Sequence, residues 1–480
     1  MYNKIVKYKY IIIILGIQFI LLLLYIKNST SNIVYMDQIR MLQIVDKYFN
    51  GNLTFHDLWR SYLEHRTLAY HLIFLGNAIL FQLNTLIDIH MSAVIVLITA
   101  ILVFFQYKKS MIGLANERFV QISFITISII IFSLNQWEII TLGIGVVLFL
   151  RVMIFIMSFS VLNDILLKNK LERNNVIKLT ILIISSVLLF GAGYFPACIG
   201  SMVVVLLIKI LSMGGSSKGF LSLIRYTKVY NKTLMLISST AAVGIYLYLY
   251  NISNDNMGTY TPIVQKLIYI IYNPVESVKF FLLSNTASIL GVEFAQSYLN
   301  EGIMLFIGGF VILLYILSVI IFIRLKMYKN TYLPILFILH SLLICSIILV
   351  GRLSYGITYG MSSRYVVETQ LGIIGVAWIF IYYYKVKIKS FDLKNFKSVL
   401  TALIICFILG GQVISNIHEW RTSPYRKIAF EKMRSIAANS ENYSNDDLMI
   451  FQYEPQQVRV GIEIMKKYKL NVFSDYKTDE

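Results

Sequence analysis

The amino-acid sequence predicts an all-α polytopic membrane protein, and three observations lead to this fold class. Of the 480 residues, 57% are hydrophobic and only 14% are charged, and the mean hydropathy is +0.70. Soluble domains carry about 25% charged residues, so an ordinary soluble protein is excluded. Apolar runs recur near the length of about 20 residues that a helix needs to cross a bilayer. The third observation is an uneven distribution of Lys and Arg between the segments that join these runs.

Eleven apolar runs are predicted to span the membrane. The first, "YIIIILGIQFILLLLYI", is followed by no small-residue cleavage site and is expected to remain as an anchor. The predicted spans are residues 9–27, 88–106, 119–134, 138–163, 178–190, 197–211, 232–250, 303–323, 331–350, 367–384 and 398–415.

The basic residues indicate how these spans are oriented. With the N-terminus inside, the connecting segments on the cytoplasmic side hold most of the Lys and Arg, which is the asymmetry expected of membrane proteins. This orientation places the C-terminal tail outside. Because the same asymmetry accounts for the formal charge of +18, a nucleic-acid partner is not predicted.

Two further apolar segments are predicted to be interfacial helices in the outer loops. If Thr67–Leu83 crossed the membrane, the link "NTLID" after it would be cytoplasmic without any basic residue. Val264–Phe281 is interrupted by Pro274 and carries lysines near its edges, which also favours a position along the surface. The outer face is therefore expected to carry two long loops, residues 28–87 and 251–302.

The sequence divides into a membrane domain, residues 1–415, and an extracytoplasmic tail, residues 416–480. The tail is predicted to be a small α/β unit with a strand at Asp447–Tyr453, a helix beginning near Pro455 and a second short strand at "LNVF". The three cysteines lie in apolar runs without metal-ligand spacing, so neither a metal site nor a disulfide framework is predicted.

The first candidate functional group is an acid at the start of the first outer loop. Asp37, in "VYMDQIRM", is followed by Arg40 close to the membrane surface. A carboxylate in this position can act as a base or hold a metal beside an anionic group. The alternative is a solvated residue that caps the following helix.

The same loop contains the unusually polar segment "FHDLWRSYLEHRTLAYH", Phe55–His71. It is predicted to be helical, with Arg60 and Glu64 paired at i,i+4. His65 and Arg66 can donate hydrogen bonds to a phosphate or to sugar hydroxyls. The alternative is an interfacial anchor in which the aromatic and basic residues only fix the helix at the membrane surface.

Two later turns add polar residues on the same predicted face. "SLNQWEIITLG" places Gln136, Trp137 and Glu138 at an outer turn.

Arg151 falls near the middle of the next predicted span and must face protein or water, because an unpaired Arg there costs about 2.5–3.5 kcal/mol on insertion scales. Its partner, a polar residue or a lipid-linked phosphate, cannot be read from the sequence.

The second turn, "YGMSSRYVVETQ", supplies Arg364 and Tyr365 behind Ser362 and Ser363. An arginine with two hydroxyl groups suits a phosphate. The alternative is an arginine that only extends from a helix end to the membrane surface.

Taken in order, these motifs resemble bacterial multi-pass proteins of the GT-C type glycosyltransferase superfamily. The residues that carry the resemblance are Asp37, "LWRSYLEHR" (Leu58–Arg66), "NQWE" (Asn135–Glu138) and "SSRY" (Ser362–Tyr365). The ending "LMIFQYEPQQVRVGIEIMKKYKLNVF" is also similar, so the resemblance extends over nearly the whole chain. Three features depart from the pattern: Leu63 stands where Asn is usual, Ile139 follows the "QWE" turn, and Asp37 has no adjacent second acid.

The resemblance implies a GT-C-like fold in the bacterial cytoplasmic membrane and a polyprenyl-phosphate-linked sugar as the donor. Asp37 would be the catalytic base for an acceptor hydroxyl or would hold a divalent metal ion, while Arg66 and Arg364 neutralise the leaving phosphate. Glu64 and His65 would orient the sugar or the loop. The remaining candidates for substrate binding are Arg40, Gln136, Glu138 and Tyr365.

The sequence therefore predicts a membrane glycosyltransferase that modifies a cell-envelope glycan or lipid on the outer face. Three alternatives remain. The first two are a polysaccharide polymerase or ligase and a lipid-linked oligosaccharide flippase. A flippase is expected to line its interior with charges, and a polymerase or ligase to load a late outer loop. The third is a non-catalytic membrane protein of envelope assembly, for which Asp37 would be dispensable.

Overall fold

The computed structural model describes residues 8–59, 68–191, 193–214, 220–249, 263–388, 391–451 and 454–474. Within these ranges the chain forms helices and short helical turns, with no β-strand. The predicted class, an all-α multi-pass membrane protein, is confirmed.

The helices of the first half follow each other closely along the chain. They are α1 (Lys9–Ser29), α2 (Asp37–Phe49), α3 (Phe55–Trp59), α4 (Leu68–Phe81), α5 (Thr85–Ser110), α6 (Glu117–Ile131), α7 (Trp137–Ile140), α8 (Gly145–Lys168), α9 (Arg173–Phe190), α10 (Phe195–Gly214) and α11 (Phe220–Leu249).

The second half contains three long membrane helices and the longest helix of the chain, which leads into the tail. Its helices are α12 (Ile263–Tyr272), α13 (Pro274–Thr286), α14 (Val292–Tyr298), α15 (Glu301–Arg324), α16 (Leu333–Arg352), α17 (Ser363–Tyr383), α18 (Phe396–Ala438), α19 (Asn445–Leu448) and α20 (Pro455–Lys467).

Ten helices in the described ranges are long and apolar enough to cross a membrane. They coincide with ten of the eleven predicted spans and are α1, α5, α6 together with α7, α8, α9, α11, α15, α16, α17 and α18. The remaining predicted span, residues 197–211, is occupied by α10, whose apolar part is shorter.

Contacts near its two ends place α10 alongside much of the length of α8. Tyr194, just before α10, lies under the guanidinium of Arg151, 4.1 Å from it, in the half of the bundle where α17 begins. Lys209, near its other end, lies 5.9 Å from the ring of Tyr332. The backbone N–H of Tyr332 donates to Asn163 near the opposite end of α8. The structure thus supports ten of the eleven predicted spans, and the apolar part of α10 is shorter than these ten.

The bundle thus has two ends, which we call the site face and the far face. The site face is defined by Glu138 and Ser363, which are hydrogen-bonded to each other. The far face contains the ion pair of Lys109 with Asp164 and the hydrogen bond from Trp378 to Ser110. The described basic residues Lys108, Lys109 and Lys168 lie at the far face, which the distribution of positive charge predicts to be cytoplasmic.

The turn that carries Glu138 differs from the prediction in one respect. Glu138 was expected to begin a long span, but it lies in the one-turn helix α7, and the span resumes only at Gly145. A side chain at position 145 would place its Cβ 1.8 Å from the carbonyl oxygen of Ile139. Only glycine permits this close return of the chain, which separates α7 from α8.

The two segments predicted to be interfacial form short helices. The described part of α4 has 14 residues, or roughly 21 Å at 1.5 Å per residue, which is less than the thickness of the hydrocarbon core. The helices α12 and α13 meet at Pro274 with a bend of 102°, as expected for a proline that begins a new helix. Thr286, at the end of α13, donates to the carbonyl of Met304 on α15, so the bent pair is anchored against the bundle near the site face.

The first loop and the C-terminal segment share a second apolar core beside that of the membrane bundle. Tyr35 and Leu42 from the loop are buried together with Phe430, Phe451 and Ile462 from the C-terminal segment. The helix α18 has 43 residues, roughly 65 Å, about twice the thickness of the hydrocarbon core. The helix continues without a break past residue 415, the predicted boundary between membrane domain and tail. Its C-terminal part packs against the first loop.

The predicted strands of the tail were wrong. Residues 445–451 form α19 and a 3-10 turn, and Asn471–Phe473 form another turn, whereas the helix near Pro455 is α20. Ser444 and Asp447 exchange hydrogen bonds in a capping box that starts α19. A short apolar run needs a partner strand to satisfy its backbone, and none exists in the described residues of the tail.

Candidate functional site

Glu138 and Arg364 form an ion pair at the site face, although 226 positions separate them in the chain. The Nε of Arg364 donates to Oε1 of Glu138 at 2.5 Å, and the Oγ of Ser363 donates to Oε2 at 3.0 Å. Glu138 therefore lies at the N-terminus of α17, where the helix dipole also favours a carboxylate. Two of the predicted site motifs, "QWE" and "SSRY", are joined by this contact.

Arg364 keeps part of its hydrogen-bonding capacity open. Its side chain is 33% exposed, compared with 13% for Glu138. Within the described part of the chain, its two terminal amino groups make no hydrogen bond. The guanidinium is thus fixed on its Nε side by Glu138 while the remaining donors are left for an anion.

The segment before Asp37 lies next to this ion pair. Burial raises the pKa of Tyr35, and the negative charge of Glu138 raises it further. The positive charges of Arg364 and Arg426 act on the same hydroxyl. Tyr35 thus ties the start of the first loop to the Glu138–Arg364 pair, two residues before Asp37.

Asp37 is the first residue of α2 and is partly exposed. Met36, which precedes it, has φ 55° and ψ −136°, a strained conformation for a residue with a side chain. The backbone N–H of Met36 donates to the carbonyl of Phe451 in the tail at 3.3 Å. Arg40 follows one turn later on the same helix. The tail therefore helps to hold the strained entry into the helix that presents Asp37.

A second arginine at the site face was not predicted. Arg426, on α18 beyond the last predicted span, donates to Glu419 at 2.8 Å and lies 3.4 Å from Glu293. Its guanidinium stacks on the ring of Trp137, 3.3 Å from the centroid. Since Trp137 adjoins Glu138, both arginines are held on the same turn.

The other two candidates, Gln136 and Tyr365, are largely buried near the pair. The amide of Gln136 donates to the carbonyl of Ile131 at 3.0 Å, which stabilises the turn. The hydroxyl of Tyr365 accepts a hydrogen bond from Nε of Arg352 at 3.3 Å. Both side chains thus support the walls of the site.

Arg151 has a protein partner. Its Nε donates to Oε1 of Glu368 at 2.9 Å, and Oε2 of Glu368 lies 2.7 Å from Nε2 of His340. All three side chains are buried inside the bundle. Of the two alternatives that the sequence left open for Arg151, the structure provides the polar residue.

Glu64, His65 and Arg66 lie outside the described residues, as does the rest of the range 60–67. The short helix α3 just before them is held by Asp57, which pairs with Lys47 and accepts hydrogen bonds from the backbone and hydroxyl of Thr54. Partial burial opposes the charge of Asp57, but the hydrogen bonds from Lys47 and Thr54 outweigh it and lower the pKa to about 2.

An apolar groove of about 800 Å³ runs beside this helix. It lies between α3, the start of α4, α9 and α11 and extends along α9 from Thr180 to Leu189. That stretch corresponds to about 13 Å of helix. His56 and Trp59, from the predicted motif segment, contribute to its lining.

Among the described residues, no three His, Cys, Asp or Glu side chains gather in a way that could hold a metal ion.

Comparisons of this chain with protein-family models, with curated proteins and with solved structures found no match.

Proposed function

We propose that this protein is a membrane glycosyltransferase of the GT-C type that moves a sugar from a polyprenyl-phosphate donor to a cell-envelope glycan or lipid on the outer face. The main support for the proposal is the arrangement of the guanidinium of Arg364, which is bonded on one side and exposed on the other. Glu138 holds its Nε, and its terminal amino groups are open at the end of a multi-pass bundle. A fixed arginine fork with open donors is suited to a phosphate whose charge grows during bond cleavage.

The apolar groove supports a lipid-linked donor. Its length and its lining by Leu188, Leu189 and Trp59 suit a hydrocarbon chain that enters sideways from the bilayer. The groove begins beside α3, next to the segment in which the resemblance places Glu64, His65 and Arg66. A lipid tail in this groove would bring its phosphate head to the site face.

The proposed reaction is a single displacement at the anomeric carbon. Asp37 accepts the proton of an acceptor hydroxyl, and the oxygen of that hydroxyl forms the new bond to carbon. The bond from the anomeric carbon to the phosphate oxygen breaks, and the phosphate leaves with the electron pair. Arg364, and Arg66 by resemblance, stabilise the negative charge on the phosphate. The configuration of the sugar is inverted.

The strained backbone at Met36 is consistent with this role for Asp37. Such strain costs about 1–3 kcal/mol and persists where surrounding contacts impose it. Here the hydrogen bond from Met36 to Phe451 and the packing of Tyr35 impose it. A base whose position is set by the tail requires no reorganisation at the moment of transfer.

The interior charges argue against a flippase. Arg151, Glu368 and His340 contact one another in a buried network, rather than leaving charged groups available along a path for a glycan.

The test replaces Asp37 by Asn and Arg364 by Ala in the full-length protein in cells. Membrane abundance and the mass of envelope glycans are measured for each variant. Loss of one phosphate ligand or of the base is expected to reduce transfer by about 100-fold or more, so that one sugar unit per acceptor disappears. The matched controls are Asp446→Asn and Arg421→Ala, both at exposed positions.

Unchanged glycans at normal protein abundance would leave the non-catalytic alternative. Glycan chains that become shorter, without loss of one defined sugar, would favour a polymerase. Loss of the defined sugar in both site variants and in neither control is the expected result.

A further inference from the structure

A buried group of polar side chains lies behind Asp37, and the proposed transfer does not use it. It consists of Gln38 on α2, Asn77 on α4 and Asp88 on α5. The exposed fractions of these residues are 0%, 3% and 3%. Three separate helices thus bring two amides and a carboxylate to one place in the protein interior.

Gly143, in the turn between α7 and α8, shows how close these groups are. A Cβ atom at position 143 would lie 2.5 Å from Nε2 of Gln38 and 3.5 Å from Oδ2 of Asp88. Because both distances share that point, the amide nitrogen and the carboxylate oxygen are at most about 6 Å apart. The side chain of Asn77 is also adjacent to Asp88. Its Nδ2 donates to the carbonyl of Asn84.

The hydrogen bonding of this group is incomplete. Among the residues that the structure describes, neither Nε2 nor Oε1 of Gln38 has a hydrogen-bond partner, nor does Oδ1 of Asn77. Within the described chain, no Lys, Arg or His nitrogen lies within ion-pair distance of Asp88. Buried amides are normally hydrogen-bonded, and a buried carboxylate is normally paired. The group therefore lacks a positive charge to balance Asp88. It also lacks a partner for the amide oxygens of Gln38 and Asn77.

We propose that Asp88, Gln38 and Asn77 bind a monovalent cation, and that Na⁺ is the ion the site takes. One carboxylate balances one positive charge, whereas a divalent ion would leave an excess charge in the interior. Carboxylate and amide oxygens are hard ligands suited to such an ion. Rotation of its side-chain amide by 180° allows Gln38 to present its oxygen to the ion. The backbone at Gly143 approaches Gln38 closely, and we take this close approach to favour Na⁺ over the larger K⁺.

The bound ion would connect the first turns of α2 and α5 with α4. Asp37 precedes Gln38 directly, so the ion would fix the helix turn that presents Asp37. The binding itself does not depend on the proposed transfer reaction, and its test does not use activity.

The experiment measures thermal unfolding of the purified full-length protein in detergent. Unfolding temperatures are compared in NaCl, KCl and choline chloride at equal ionic strength. Saturating Na⁺ is expected to raise the unfolding temperature by about 2 °C or more over choline, and K⁺ is expected to raise it less. The response to Na⁺ should saturate with concentration, because it reports a site rather than general salt screening.

Two variants connect the response to these side chains. Asp88→Asn removes the charge and Gln38→Leu removes an oxygen ligand at similar volume, and both are expected to abolish the difference between Na⁺ and choline. Asp446→Asn, on the exposed helix α19, should retain it. If Asp88→Asn does not fold, Gln38→Leu decides the question.

The proposal is overturned if the native protein unfolds at the same temperature in NaCl and choline chloride, as it would with a protonated Asp88. It is also overturned if Gln38→Leu retains the full response to Na⁺. Stabilisation by Ca²⁺ or Mg²⁺ without any by Na⁺ would contradict the monovalent assignment.

Discussion

Two arginine–glutamate pairs of the same chemistry lie at different depths of the bundle. Arg151 and Glu368 have side chains that are 7% and 1% exposed, and the free side of the guanidinium is covered by the ring of Tyr194. Arg364, one turn before Glu368 on α17, is 33% exposed and open on one side. This difference in exposure shows that the groups around an arginine, rather than its presence in a membrane protein, decide whether it can bind a ligand.

The deep pair should respond most strongly to the loss of its acid. Glu368→Gln keeps the shape of the side chain but leaves Arg151 buried without a counter-charge. Removing one member of a buried pair costs about 3–5 kcal/mol, so we expect a large fall in unfolding temperature or in folded protein. Thermal unfolding in detergent measures it.

The matched control is Glu138→Gln at the site face, where water can solvate Arg364. We expect a loss of about 1 kcal/mol or less there. Equal destabilisation by the two substitutions would contradict the distinction between a closed and an open pair.

The open pair should instead respond in transfer activity. Arg364→Lys retains the positive charge but loses the planar fork that Glu138 holds by its Nε. The loss of one charged hydrogen bond predicts about a 10- to 100-fold reduction in sugar transfer, with little change in unfolding temperature. Envelope glycan analysis and thermal unfolding of the same variant separate the two effects.

An arginine with no part in the reaction would give the opposite pattern. Arg421→Lys, at an exposed position on α18, is the control and should change neither measurement. A fall in stability without loss of transfer for Arg364→Lys would assign Arg364 a structural role like that of Arg151.

Arg426 has a side chain that is 12% exposed, a value between those of Arg151 and Arg364. Glu419 and Glu293 hold its charge, while Trp137 covers one face. Trp137→Leu removes the cation–π contact and should cost about 1–2 kcal/mol in unfolding free energy. Trp137→Phe keeps an aromatic face and should cost less. If the two variants are equally stable, the ring contributes only apolar area.

The sequence predicted the positions and order of ten of its eleven proposed spans because these depend on local hydropathy. It also located "QWE" and "SSRY" on one face, since the positions of loops follow from the count of spans. It could not pair Glu138 with Arg364, because no local pattern connects residues on separate helices. Arg426 was missed because α18 continues as a helix into a stretch whose polarity indicated a tail.

The predicted strands of the tail failed for a related reason. A short apolar run such as "LMIF" suits a strand or a helix, and the surrounding structure decides between them. Here the capping box at Ser444 and the apolar surface of the first loop favour helical turns. Asp37 was proposed as a site residue from its position alone, whereas the strain at Met36 and the contact with Phe451 depend on the tertiary fold.

A third ion pair, Lys47 with Asp57, extends the comparison to the surface and should give the smallest effect. The pKa of Asp57 is lowered to about 2, whereas an unfolded chain has a value near 3.9. The unfolded state therefore takes up its proton first as the pH falls. The stabilisation is complete above about pH 4 and is lost as the pH falls towards 2.

Because Lys47 is 44% exposed, we expect the pair to contribute about 1 kcal/mol. Asp57→Asn should lower the unfolding temperature slightly at pH 6, and the difference should shrink below about pH 4 and vanish well below pH 2, where the native carboxyl is protonated as well. Thermal unfolding of both proteins across this range measures the difference. A difference that grows towards low pH would have the wrong sign and would show that Asp57 is not held as a carboxylate. A difference as large as that for Glu368→Gln would mean that burial does not rank these ion pairs.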